Sequence, residues 1–366
     1  MNKQKSILVL CPYPQNCAPS QRLKFEQYYP YFKKEGFRVD VSPFVSEKFW
    51  KILYKEGYFF KKTLYTIYGY FKRFKDLFVL RRYHIVYIHL WVTPFGPPIF
   101  EWLVSKLAKK IIYDIDDMVF LGHSSEANKK FQTLKGTQKM IYLMKIANHV
   151  ITCTPNLDNF VRQYNLNTTD ISSAINTDVY IPKDSYELSN PIIIGWSGSH
   201  STSKYLKILE PVFERLFEMG VNFKVLVIGD KSFKFSNSKI NCEAKDWKLE
   251  TEVDDLKKFD IGVYPLPDEP WVYGKSGLKA LQYMALGIPT VATAIGANFR
   301  IIENGINGFL VGVNNTNEWV ETILKLISND KLREEIGKNG IEKVEKEFSV
   351  KANVDKYLNV LNSVLS

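Results

Sequence analysis

The chain has 366 residues, of which 45% are hydrophobic and 24% charged, with a formal net charge of +10. That length predicts two domains, each able to bury its own core, and that composition is the one of a folded soluble protein. No run approaches the ~20 apolar residues of a membrane span. The four cysteines, Cys11, Cys17, Cys153 and Cys242, form no C-x-x-C pair and no cluster with the five histidines, which argues against a zinc or disulfide framework and fits a reducing cytoplasm.

Ile7–Leu10 is too short for a signal-peptide core and reads as a first strand. Gln21–Lys34 reads as a helix closed by Gly36, and Val39–Val41 as a second strand. After a basic, aromatic helical stretch come a strand at Ile85–His89, a helix at Phe100–Lys109, a strand at Ile111–Ile115, a helix at Lys130–Ala147 and a strand at Val150–Thr152. The polar run from Ile181 to Pro191 reads as a linker. A second series follows: strand Ile192–Trp196, helix Leu206–Met219, strands Lys224–Ile228 and Ile261–Tyr264, a helix, and strand Thr290–Ala292. Helices at Thr316–Ser328, Lys331–Glu347 and Ala352–Leu365 close the chain. Strands alternating with helices predict parallel sheets covered on both faces, an α/β fold.

Between Lys48 and Tyr83, ten Lys and Arg stand against Glu56 and Asp76, and thirteen aromatic residues are interleaved with them. On helices this mixture suits the boundary between water and anionic lipid. Two other readings compete: nucleic acid, where aromatics stack on bases, and plain packing, with aromatics on a sheet and charges in water. The rest of the chain shows no nucleic-acid module, so nucleic acid is not an expected partner.

Two segments of the second series have the form of phosphate sites. Gly195-Trp-Ser-Gly198-Ser199-His-Ser-Thr-Ser-Lys204 joins a strand to a helix through a Gly/Ser loop. It is not G-x-G-x-x-G, so a nicotinamide site has little support. The second is Asp268-Glu269-Pro-Trp-Val-Tyr-Gly274-Lys275-Ser276-Gly277-Leu278-Lys279-Ala-Leu-Gln282, between two strand-like runs. Small residues at a helix start expose backbone N–H groups, which with the helix dipole favour a phosphate. Lys275 and Lys279 add positive charge where a structural helix prefers carboxylates. The competing reading is an ordinary strand-loop-helix unit with glycines for turn and cap.

The segment from Asp260 to Leu310, with its run Ile295-Gly-Ala-Asn-Phe-Arg-Ile-Ile-Glu-Asn-Gly-Ile-Asn-Gly-Phe-Leu310, resembles the donor-sugar region of the group-1 family of retaining, two-Rossmann-domain (GT-B) glycosyltransferases. The resemblance is strong over the C-terminal half and weaker but continuous before it. It implies two Rossmann-like domains facing a cleft: residues 1–188 binding acceptor, residues 189–349 binding nucleotide-sugar, and a helix at 350–366 packing back on the first. It also implies donor contacts from Gly198, Ser199, Lys204, Lys275, Ser276, Gly277, Leu278 and Gln282. Ser197 stands where the family's loop carries an Arg. Of the family's paired glutamates, the second falls on Gln282, whose amide can still bond a ribose hydroxyl. The first falls on Gly274, so Asp268, Glu269 or the backbone of the 275–278 turn would take its place.

In the first domain, Asp114, Asp116 and Asp117 cluster at the C-terminal end of a strand, where α/β active sites lie. Asp114 and Asp116 read either as a DxD metal motif or, by the resemblance, with Asp116 at the position that holds a His near the transferring sugar. Asp117 also suits a helix cap. Arg22 is a candidate for an acceptor phosphate or a partner for Glu26, and His89 a candidate acceptor contact or a buried structural residue.

These readings lead to a metal-independent, retaining glycosyltransferase (EC 2.4) with Asp116, Lys204 and Lys275 as catalytic residues. No cofactor is expected beyond the nucleotide diphosphate sugar donor. The expected acceptor is a lipid-linked glycan of bacterial surface-polysaccharide synthesis, at the cytoplasmic face of the plasma membrane, with 48–83 on the anionic surface. A catalytically silent binding subunit and a sugar-nucleotide epimerase of the same architecture remain alternatives.

Overall fold

A computed structural model describes residues 4–118 and 137–366 of the chain. It divides into two compact units, Met1–Ser173 with Asn353–Ser366, and Ala174–Ala352.

The first unit is built on six parallel strands: β1 (Ser6–Cys11), β2 (Arg38–Pro43), β3 (Ile85–His89), β4 (Ile111–Asp114), β5 (His149–Thr152) and β6 (Thr168–Asp170). Their order across the sheet is β2-β1-β3-β4-β5-β6. β1 and β3 are buried along their whole length, as central parallel strands must be when helices cover both faces. The order reverses between β1 and β3, and such a reversal opens a crevice at the carboxyl ends of the two strands. Cys11 and His89 end those strands.

The expected helix Gln21–Lys34 is broken into a turn at Pro19–Arg22, a tighter turn at Glu26–Tyr28 and a helix at Tyr29–Lys34. Pro30 explains the break, because it lacks the N–H an uninterrupted helix would need there and so sits in the first turn of a new one. The helix expected over 130–147 is described at Thr137–Ile146, and positions 130–136 lie outside the described residues. The C-terminal helix, Val350–Leu365, contributes Tyr357 to the first unit, with its ring 4.3 Å from that of Tyr28.

The second unit repeats the plan with β7 (Ile192–Ser197), β8 (Phe223–Ile228), β9 (Cys242–Lys245), β10 (Ile261–Tyr264), β11 (Thr290–Thr293) and β12 (Phe309–Val311), all parallel, in the order β12-β11-β10-β7-β8-β9. Here the reversal falls between β7 and β10. The run 181–191, expected as a linker, is packed into this unit: Lys183 donates its backbone N–H to Leu286 and its ammonium to the Phe259 carbonyl, and Ser189 bonds Asp260. The boundary between units therefore falls at 173–174 rather than 188–189. Among the described residues, no helix is long and apolar enough to cross a membrane.

Candidate active site

At the β7/β10 reversal, backbone packing sets the geometry. Gly198 follows β7 and donates its N–H to Ile228 at 2.9 Å. A Cβ on Gly198 would lie 2.5 Å from the Trp196 ring and 2.7 Å from the Lys279 side chain, so only glycine fits. Gly262 on β10 leaves room for the Tyr283 ring, whose hydroxyl accepts the Ser197 N–H at 2.8 Å. That contact ties the loop after β7 to the helix Leu278–Ala285. The helix starts from Gly277 at φ +70°, with no side chain capping it and no acidic residue in its first turn. Its leading N–H groups are therefore left for a ligand.

Three lysines surround this start, each over an aromatic ring. Lys204 Nζ is 5.0 Å from the centre of Tyr205, Lys275 Nζ is 5.3 Å from Trp271, and Lys279 Nζ is 5.4 Å from Trp196 and 5.2 Å from Tyr264. The Tyr205 and Trp271 rings lie 5.2 Å apart, so Lys204 and Lys275 flank one aromatic pair. Neither Lys204 nor Lys279 forms an ion pair among the described residues. Ring faces attract a cation without neutralising it, which leaves the charge available to an anion. Desolvation by burial, and then the neighbouring Lys275, pull the Lys279 pKa down to about 7, although the two ring faces favour the charged form and oppose the shift.

The remaining expected donor residues separate. Ser199 is exposed, and Ser276 and Leu278 are partly exposed at the helix start. Gln282 is buried, and its amide donates to the Tyr180 hydroxyl at 2.8 Å and to Glu252 at 3.2 Å. That inward commitment corrects its reading as a ribose contact and makes it a brace. Glu269 is likewise occupied, accepting the indole N–H of Trp271, while Asp268 is exposed and accepts from the Tyr273 hydroxyl at 3.2 Å. Trp271, Tyr205 and Asn298 carry no site expectation from sequence, and Lys279 is expected there only as added positive charge at the helix start. A lysine pair one helical turn apart, and aromatic residues at the ends of β7 and β10, were the available signals. Asn298 is buried beside Gly277, and its side-chain oxygen has no hydrogen-bond partner among the described residues.

At the β1/β3 reversal, the loop after β1 is held by Gln21, whose buried amide bonds Tyr13 through both its N–H and its oxygen. Burial raises the Glu26 carboxyl, opposed by the Asn16 N–H, the Gln21 amide and the charge of Arg22. His89 is fully buried with its ring 4.9 Å from Phe25, and its Nε2 lies 3.9 Å from Asp116. Burial lowers its pKa, against the pull of Asp116 and Asp114, which favours the neutral ring. Asp116 remains partly exposed.

Asp114 has no exposure. It forms an ion pair with buried Lys24 and accepts a hydrogen bond from the Tyr87 hydroxyl. Service in a DxD metal motif would require breaking that pair, which weighs against the DxD alternative for Asp114 and Asp116. Among the described residues, no group of three His, Cys, Asp or Glu is arranged to hold a metal.

Residues 181–343 match the family described as glycosyl transferases, group 1. This segment is similar to the group-1 glycosyl transferases. The capsular polysaccharide biosynthesis glycosyltransferase CapM of Staphylococcus aureus is 28% identical to the chain over 184 residues, 49% of this chain and 48% of CapM. The chain thus spans about half the length of that curated relative. Among solved structures, sucrose-phosphate synthase of Thermosynechococcus elongatus superposes with a TM-score of 0.71 at 15% identity, covering 99% of both chains. Anabaena HepE in complex with UDP and glucose superposes with a TM-score of 0.67 at 15% identity, covering 99% of this chain and 100% of that one. At such identities the superpositions establish the α/β GT-B fold class and nothing finer. The group-1 segment contains the whole lysine-lined helix start.

Proposed function

We propose that the chain transfers a sugar from a nucleoside diphosphate sugar to an acceptor hydroxyl, with retention and without a metal ion. The observation that carries this reading is the set of three lysines on aromatic faces around the uncapped start of the helix Leu278–Ala285. Positive charge and backbone N–H groups fixed in place offset the charge that builds on a departing diphosphate, the term that dominates much transfer catalysis. The complex of HepE with UDP and glucose supports such a donor. The second unit takes the donor, and the first supplies Asp116, with His89 behind it, and Arg22 toward the acceptor. The relation to CapM supports an acceptor in bacterial surface-polysaccharide synthesis. We take that acceptor to be lipid-linked, at the cytoplasmic face of the membrane.

The test is a panel of nucleotide sugars followed by mass spectrometry, with calorimetry of the free nucleoside diphosphates. Binding of one diphosphate and donor-dependent product formation are expected. If none binds, the reading fails. A silent binding subunit is the second reading, favoured by Gly274 and by the inward turn of Gln282. Diphosphate binding with no hydrolysis or transfer from any donor would select it.

A further inference from the structure

The helix Phe59–Leu77 carries one apolar stripe that none of the described residues covers. Phe60, Leu64, Ile67, Phe71, Phe74 and the following Phe78 recur at intervals of four, three, four, three and four, which is one face of an α-helix. Each is at least 50% exposed. The opposite face is fixed to the body of the unit. Gly69 admits the Phe44 ring, Leu77 is buried, and Arg73 is fully buried with its guanidinium donating to the carbonyls of Cys11 and Val92 and to Ser42 and Asp76. The helix therefore cannot roll its stripe inward.

We propose that this stripe docks flat on an anionic bilayer. Charge selects the occupant. Lys55, Lys61, Lys75, Arg81 and Arg82 are exposed along and beyond the stripe, and Lys75 sits 4.6 Å from the Phe71 ring. Of the acidic residues nearby, Asp76 is neutralised by Arg73, and exposed Glu56 and Glu47, which borders Leu64 beside Lys48, are outnumbered by the five cations. Apolar side chains bordered by cations match the boundary between anionic headgroups and acyl chains. A second copy presenting the same face would set one basic rim against another. The apolar surface continues over Tyr70, whose hydroxyl bonds Phe95, to a groove of about 310 Å³ lined by Phe95, Ile99 and Phe100.

The inference deepens the proposed function by giving a lipid-linked acceptor a surface to lie on, and rests on that reading only for its purpose. It also revises the basic set: Arg73 and half-buried Lys72, which donates to the Pro43 carbonyl, hold the fold and do not face lipid. The test floats the full chain with phosphatidylcholine vesicles, with and without phosphatidylglycerol, at rising salt. Binding should require the anionic lipid and fall with salt. Ile67→Asp with Phe71→Asp, and separately Lys61→Glu with Lys75→Glu, should each lower binding by about tenfold or more. Both pairs are exposed and should leave thermal unfolding and nucleoside diphosphate binding unchanged. Equal binding to neutral vesicles, or binding to none, overturns the proposal. So does a wild-type dimer in sedimentation that the Asp pair converts to monomer without any vesicle binding. Vesicle binding without diphosphate binding would instead overturn the transferase reading and leave docking intact.

Discussion

Lys24 and Asp114 form an ion pair of 2.5 Å with neither side chain exposed, at the carboxyl end of β4. Burial pushes the lysine pKa down, but Asp114, joined by Cys153 and Asp116, more than offsets it and holds the ammonium above its ordinary value. Lys24 also donates to the Ile115 carbonyl at 3.1 Å. Removing one member would strand a charge inside the protein, which costs about 3–5 kcal/mol. Lys24→Met should therefore lower stability by that amount in urea unfolding, while Asp116→Asn, at a partly exposed position, should change it by less than about 1 kcal/mol.

The same pair bears on metal use. With Asp114 held by Lys24 and Tyr87, Asp116 has no carboxylate partner in the DxD spacing. Turnover should persist in excess EDTA. Loss of turnover that manganese restores would return Asp114 and Asp116 to the role of metal ligands.

Lys275 and Lys204 should separate by magnitude. Lys275 lies beside the helix start, and Lys275→Ala should reduce turnover on the order of 100-fold, as for one lost charge at a stabilising site. Exposed Lys204 is more strongly solvated, and Lys204→Ala should cost about tenfold. Steady-state kinetics with a single donor would check both, and equal wild-type rates would remove the lysines from the mechanism.

Lys279 predicts a proton signature. With its pKa near 7, a large share of the lysine is neutral at pH 8 in the free protein. A bound diphosphate favours the charged form and raises that pKa, so binding at pH 8 should take up protons. Calorimetry in buffers of different ionisation enthalpy measures the uptake, which Lys279→Met should abolish. Uptake that survives the substitution would assign the proton elsewhere.

Gly277 predicts a structural cost at the site. Its φ of +70° strains any other residue, and a Cβ there would lie 2.3 Å from the Ile301 side chain. Gly277→Ala should destabilise the protein by about 1–3 kcal/mol and weaken diphosphate binding as the helix start shifts. Thermal unfolding and calorimetry read the two effects separately.

Long apolar runs made β1, β3 and β10 legible in the sequence, because a central parallel strand is buried on both faces. β6, β9 and β12 were missed: all are short strands at sheet edges, β6 and β9 with polar, half-exposed side chains that carry no alternation, and β12 only three residues long. In the site, Lys204 and Lys275 followed from loop composition. Gln282 did not, because its place in a motif says nothing of which side of the helix it faces. Its partner Tyr180 lies 102 residues away in sequence. Asp114 was misleading for the same reason: three aspartates in one run look alike until Lys24, 90 residues earlier, is folded against one of them.

Arg73 joins the apolar-striped helix directly to the carbonyls of Cys11 and Val92, at or just beyond the carboxyl ends of β1 and β3. A rigid fork with several bonds transmits displacement in both directions. If the helix settles deeper or tilts with the thickness of the layer beneath it, the loop that carries Arg22 is pulled by the same lever. Under the proposed docking, the physical state of the bilayer would become a mechanical input to the loop after β1, read through the bonds of one buried side chain.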